Sequence, residues 1–144
     1  LGYCFWFSKV TGKVRADVAA AALQRYRQRV RQLTRRQTGR SLYEIAKDLQ
    51  AFMPGWKAYF RLAQTPSTLR GLDKWLRHRL RAIQLKFWGR GTTAFRELRG
   101  LGASVDLAAQ VAGLMRRWWY ASATLVNRVL TNAYFDSFGI PRLC

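Results

Sequence analysis

Between Ser41 and Leu62 the chain reads SLYEIAKDLQAFMPGWKAYFRL, and this stretch restricts the possible folds more than any other. Ser41 and Glu44 stand at capping-box spacing. The serine oxygen can accept from the amide three residues on, and the glutamate can reach back to the serine amide. Leu42, Ile45, Leu49 and Phe52 then recur at helical spacing and give one apolar stripe. Pro54 has no amide hydrogen and disfavours helix at Met53, so Pro54-Gly55 is expected to break the helix. Trp56, Tyr59, Phe60 and Ala63 restart the period, with Lys57 and Arg61 beside them. The expectation is two short helices joined at a fixed bend and packed by aromatics, with Trp56 and Tyr59 read as core.

Charge narrows the partner. Lys plus Arg number 26 against 7 Asp plus Glu, a net charge of +19. A globule with that self-repulsion calls for a polyanion. Arginines number 20 and lysines 6. Arginine presents a planar fork to phosphate and stacks on bases, so the bias favours nucleic acid over a membrane surface. Apolar residues make up 49% of the chain, which argues against disorder. No apolar run approaches the roughly 18 residues that a bilayer span needs.

Along the chain, Leu1 to Val14 reads as a hairpin, with Tyr3, Phe5 and Phe7 alternating with Cys4 and Trp6 and a turn at Thr11-Gly12. Asp17 is the expected N-cap of a long helix to about Gln37, ended by Thr38-Gly39. Ala19, Leu23, Tyr26, Val30 and Leu33 form its apolar seam, flanked by Arg25, Arg27, Arg29, Arg31, Arg35 and Arg36. No acid occurs between Asp17 and Glu44, whereas solvated helices normally mix signs. Ser67 is the expected cap of a helix to about Trp88, apolar on Leu69, Leu72, Leu76, Leu80, Ile83 and Phe87. At about 100° per residue, Arg70, Lys74, Arg77 and Arg81 fall on a second stripe roughly 130° away. Such a ladder can follow a phosphate backbone, and the helix itself is expected not to need it. Thr92 to Arg99 reads as a short helix, Ser104 caps another to about Ala112, and Thr124 to Phe135 reads as the last. Arg116-Arg117-Trp118-Trp119-Tyr120 mixes cation and aromatic. It can stack bases while binding phosphate, or it can be core aromatics with flanking arginines.

Catalytic patterns do not emerge. The acids are scattered singly, with no pair at two-metal spacing, no phosphate loop before a helix and no nucleophile elbow. His78 has no identifiable partner acid or nucleophile and reads as a surface residue. Cys4 and Cys144 sit at opposite ends, in a pattern of neither disulfides nor zinc, and point to an intracellular protein; the expected location is the cytoplasm, in association with the nucleoid. The chain starts within what reads as a strand, so it is expected to be a fragment of a longer protein.

Three motifs in order carry a family resemblance: RSL-x-x-I at Arg40 to Ile45, PGW-x-x-YF at Pro54 to Phe60, and LD-x-WLR-x-RLR at Leu72 to Arg81. Together they resemble the maturase-specific domain of group II intron reverse transcriptases. LGYCFWF is similar to the strand leading into this domain from the polymerase palm, and the run from WWYAS to GIPRL is similar to the C-terminal tail of those proteins. The resemblance implies a mainly α fold with a short N-terminal β-hairpin at 1–14, a three-helix thumb-like bundle at 15–88 and a smaller helical nucleic-acid-binding region at 89–144. It implies that the middle part grips primer-template and structured intron RNA and helps the intron fold for splicing, with target DNA at the tail. It also implies that polymerisation and its Mg2+ belong to a palm that would precede Leu1, so no catalysis and no cofactor are expected from this chain. The candidate RNA-binding residues are Arg25, Arg29, Arg36, Arg40, Lys57, Arg61, Arg70, Lys74, Arg77, Arg81, Arg116 and Arg117. Two other classes stay open: a free-standing basic nucleic-acid-binding module without a polymerase, and a cationic membrane-active protein.

Overall fold

A computed structural model describes residues 2–35 and 40–144. The expected Thr38-Gly39 stop, the helix end near Gln37 and the candidate Arg36 lie outside the described residues. The chain is mainly helical behind a two-stranded antiparallel hairpin, β1 (Tyr3–Phe7) and β2 (Val14–Val18). The helices are α1 (Ala20–Leu33), α2 (Leu42–Tyr59), α3 (Pro66–Trp88), α4 (Gly91–Gly100), α5 (Val105–Gly113), α6 (Trp118–Thr124) and α7 (Asn132–Asp136). Two compact units result: 1–74 with 139–144, and 75–138. α3 runs from the first unit into the second.

In the first unit, Tyr3 pairs with Val18 and Phe7 with Val14. The hairpin loop is therefore wider than a turn at Thr11-Gly12 alone. The Ser8 amide donates to Lys13 O (3.0 Å) and the Gly12 amide to Ser8 O (2.8 Å). Gly12 has φ +66°, a left-handed conformation that glycine adopts without penalty. Asp17 does not cap a helix. It lies in β2 opposite Cys4, and its carboxylate accepts from Trp6 Nε1 at 2.6 Å. α1 starts after Ala19 with no side-chain cap. A strand pairing that satisfies the Asp17 backbone outweighs the local cap preference.

The capping box of α2 forms as its spacing implies. Glu44 N donates to Ser41 Oγ (3.3 Å), and Ser41 N donates to Glu44 Oε2 (2.7 Å). The expected break at Pro54 does not occur, and α2 continues through it to Tyr59. The apolar rows explain why. Ile45, Leu49 and Met53 are fully buried and Phe60 is 6% exposed. With half-buried Trp56 between, they form one stripe at intervals of four and three that crosses the proline without a phase change. Pro54 is exposed, so the carbonyl that its ring deprives of a donor can face water. α1 packs on α2 through Ala22, Tyr26 and Val30. Val18, Ala22 and Phe60 join Tyr3, Leu23, Trp56 and Ala63 in a second apolar cluster. The chain end is clasped to this unit, because the amides of Leu143 (3.0 and 3.1 Å) and Cys144 (3.0 Å) donate to the Asp73 carboxylate.

α3 opens on Pro66 rather than after Ser67, placing proline in the first turn where a missing amide hydrogen costs nothing. In the second unit, Leu76, Leu80, Ala82, Ile83, Gln84 and Leu85 of α3 are buried. Four of these are consecutive, so this half of the helix is covered on every side. α4 packs on α5, and Ser104 caps α5 by accepting from Leu107 N (3.2 Å). The single helix expected over 124–135 is not formed. α6 ends at Thr124, a 3₁₀ turn covers Val126–Arg128, and α7 starts anew on a Thr131 cap. The break lets Phe135 reach full burial together with Val126 and Leu130, whereas a continuous helix would point it away from the face those two share.

Candidate nucleic-acid interface

α1 presents the barest cationic face. Its fourteen residues contain arginine at 25, 27, 29 and 31 and no acid. Arg25, Arg27 and Arg29 are exposed. Arg29 Nη1 donates to Gln32 Oε1 at 3.2 Å, a contact that leaves its charge uncompensated. The acids of the first unit face other tasks: Asp17 on Trp6, Glu44 in the capping box, Asp73 on the chain end. Asp48 pairs with Arg40, which also donates from Nη1 to Leu33 O (3.1 Å). Arg40 thereby satisfies a carbonyl at the end of α1 and ties that end to α2. Lys57 is exposed with Nζ on Arg142 O (3.3 Å), and Arg61 is exposed.

The four-rung ladder on α3 divides. Arg70 and Lys74 are exposed. Arg77 is 2% exposed, and its Nη2 meets Asp136 Oδ1 at 3.0 Å. Arg81 is half-buried. Its Nε donates to Leu130 O (2.7 Å) and its Nη2 to Asn132 Oδ1 (3.0 Å). Burial, and secondarily the charge of Arg77, lower the Arg81 pKa. The expectation that the helix does not need this stripe therefore fails at Arg77 and Arg81, because the turn before α7 and α7 itself supply acceptors over it.

In the second unit, Arg116 and Arg117 are exposed, with the Arg117 guanidinium 4.7 Å from the Tyr120 ring centroid. Trp119 is 43% and Tyr120 48% exposed, so that cluster is not simply core. His78 stacks on Trp119 at 3.9 Å, and Lys86 Nζ lies 3.9 Å over Trp118. The Lys86 contact was not legible in sequence, since thirty-two positions separate the two residues.

The first unit also holds a groove of about 360 Å³ between α1 and α2, lined by Arg25, Arg29, Phe52, Trp56 and Tyr59 over a floor of Tyr26. Trp56 lies 4.7 Å from Tyr26 and 4.5 Å from Phe60, centroid to centroid. Trp56 is thus half-buried and partly core, as expected, whereas Tyr59 is 56% exposed and is not. Among the described residues no group of His, Cys, Asp and Glu could hold a metal ion, and no helix is long and apolar enough to cross a membrane.

A helical, strongly basic domain with arginines exposed on one helix is built to meet a polyanion. The family model for the group II intron, maturase-specific domain matches residues 23–102, more than half of the chain, and the chain belongs to that family. No curated protein matches it. Membership gives the chain a maturase-related role in group II intron splicing, with intron RNA as the partner that such a domain implies. The matched span runs from within α1 through α4, and so holds most of both groove helices and most of the candidate arginines.

Proposed function

We propose that the chain is the RNA-binding maturase and thumb portion of a group II intron reverse transcriptase. In this reading it holds structured intron RNA, helps it fold for splicing, and grips primer-template, with target DNA met by 89–144. It performs no chemistry of its own, and polymerisation with its Mg2+ belongs to a separate palm. The observation that carries the reading is the acid-free arginine face of α1 inside the family span. The exposed Lys57, Arg61, Arg70 and Lys74 extend the supply of phosphate contacts.

The mechanism that this supports is electrostatic. Each phosphate neutralised by an arginine or lysine releases condensed counterions, so affinity falls with salt. If about 6–8 phosphates are contacted, the log–log slope for a structured RNA should be roughly −5 to −7. Titrations across salt concentrations test this, and a flat response would remove the reading.

A further inference from the structure

The groove between α1 and α2 sets partly exposed aromatic rings beside two arginines. Its floor, Tyr26, is 1% exposed and belongs to the core, but Tyr59 on its wall is 56% exposed. The Tyr59 ring meets Phe60 edge-on at 4.8 Å and lies 6.2 Å from the Tyr3 ring, centroid to centroid, and its backbone carbonyl accepts the Tyr3 hydroxyl at 2.6 Å, so the residue is anchored at one edge while staying largely exposed. Trp56 leaves part of its indole uncovered between Tyr26 and Tyr59. Arg25 and Arg29 stand one turn apart at the rim, and no carboxylate is among the described lining residues. Flat apolar walls beneath two cations fit a ligand that is planar at one end and anionic at the other. An ammonium ligand would meet like charge, and a purely apolar ligand would leave the arginines without a role.

A nucleotide has that shape and charge. The volume lies near the lower end of small-ligand sites, which run from roughly 300 to 1,000 Å³. Duplex RNA cannot use such a groove, because its bases are stacked and present only edges, whereas unpaired bases can be splayed out onto aromatic side chains. We infer that this groove takes one unpaired nucleotide of RNA, with the base against Trp56 and Tyr59 and the adjoining phosphates on Arg25 and Arg29. This rests on the RNA-binding reading above and adds a ligand class to it. The aromatic wall selects unpaired nucleotides, and the arginines hold the strand on either side.

The test uses the 144-residue chain with two probes: an eight-nucleotide single-stranded RNA carrying central 2-aminopurine, and a blunt RNA duplex with the same number of phosphates. Stacking in the groove should quench the 2-aminopurine. Tyr59→Ala should weaken single-strand binding roughly five- to 150-fold, the range for loss of one base–aromatic stack, and leave the duplex unchanged. Tyr59→Leu, which keeps apolar bulk without a ring, should do the same and guards against a folding defect in the alanine variant. Arg25→Gln with Arg29→Gln should reduce the single-strand salt slope by about 1.4 units, roughly 0.7 per phosphate contact. Wild-type single-strand affinity in both Tyr59 variants, or equal losses on both probes, would overturn the groove while leaving RNA binding intact. A wild-type chain that binds neither probe would overturn the groove and the RNA-binding reading together.

Discussion

The guanidinium of Arg77 and the carboxylate of Asp136 meet at 3.0 Å across fifty-nine residues of sequence, with the Arg77 side chain 3% exposed and that of Asp136 35% exposed. The pair changes the meaning of the basic stripe on α3. Helical spacing puts Arg77 in line with Arg70 and Lys74, yet Arg77 serves the interior of the second unit. A cation buried this deeply persists only with an anion beside it.

Breaking that pair should therefore cost stability. We expect Arg77→Gln or Asp136→Asn to destabilise the chain by about 3 kcal/mol, near the low end for removing one partner of a buried pair, since Asp136 is partly solvated. Replacing both with well-packed apolar residues should recover much of the loss. Urea melts of the two single variants and the double variant check both statements.

Pro54 lies exposed inside α2, where proline is about 3 kcal/mol less favourable than alanine in a helix interior. Pro54→Ala is expected to stabilise the fold by up to about that energy and to raise the melting temperature with it. An unchanged or lowered melting temperature would mean that the apolar stripe of α2 depends on the geometry proline imposes. Thermal unfolding followed by circular dichroism decides between these.

Tyr134 in α7 supplies a pH dependence. Burial, and then the negative charge of Glu97, raise its pKa above the ordinary value of 10.0. The folded state thus favours the neutral phenol. Its contribution is fully present below about pH 10 and is lost as pH rises through the folded pKa. Tyr134→Phe should flatten the fall in stability on the alkaline side and leave stability at neutral pH nearly unchanged. Denaturant titrations from pH 8 to 11 measure the difference.

What the sequence disclosed was what local chemistry decides. The capping box of α2, the Ser104 cap of α5, the apolar rows of α2 and α3, and the basic face of α1 follow from spacing alone. Its errors arose where a distant partner outweighed a local rule. Asp17 has the residue type of a cap but lies opposite Cys4 in a strand. Pro54 has the residue type of a break but sits on a continuous stripe that the core holds in phase. Arg77 and Arg81 match a solvent-facing ladder, but their acceptors come from residues 130 to 136, about fifty positions away. The groove was half legible. PGW-x-x-YF marked Trp56 and Tyr59, but only folding brings Arg25 and Arg29 over them.

The divided ladder yields the sharpest separation of stability from binding. Arg70 and Lys74 are exposed neighbours at i and i+4, and like charges at that spacing repel by a few tenths of a kcal/mol. Replacing both with Gln should leave stability unchanged or slightly raised. If α3 meets RNA, the same double variant should weaken binding across many sequences and reduce the salt slope by about two units, one per phosphate contact. Arg77→Gln should show the opposite pattern, with a lower melting temperature and, at a temperature where it remains folded, an undiminished salt slope. Paired melts and salt-dependent RNA titrations on the two variants test the division. An unchanged slope in the Arg70 and Lys74 variant would place the phosphate contacts elsewhere, first on the arginine face of α1.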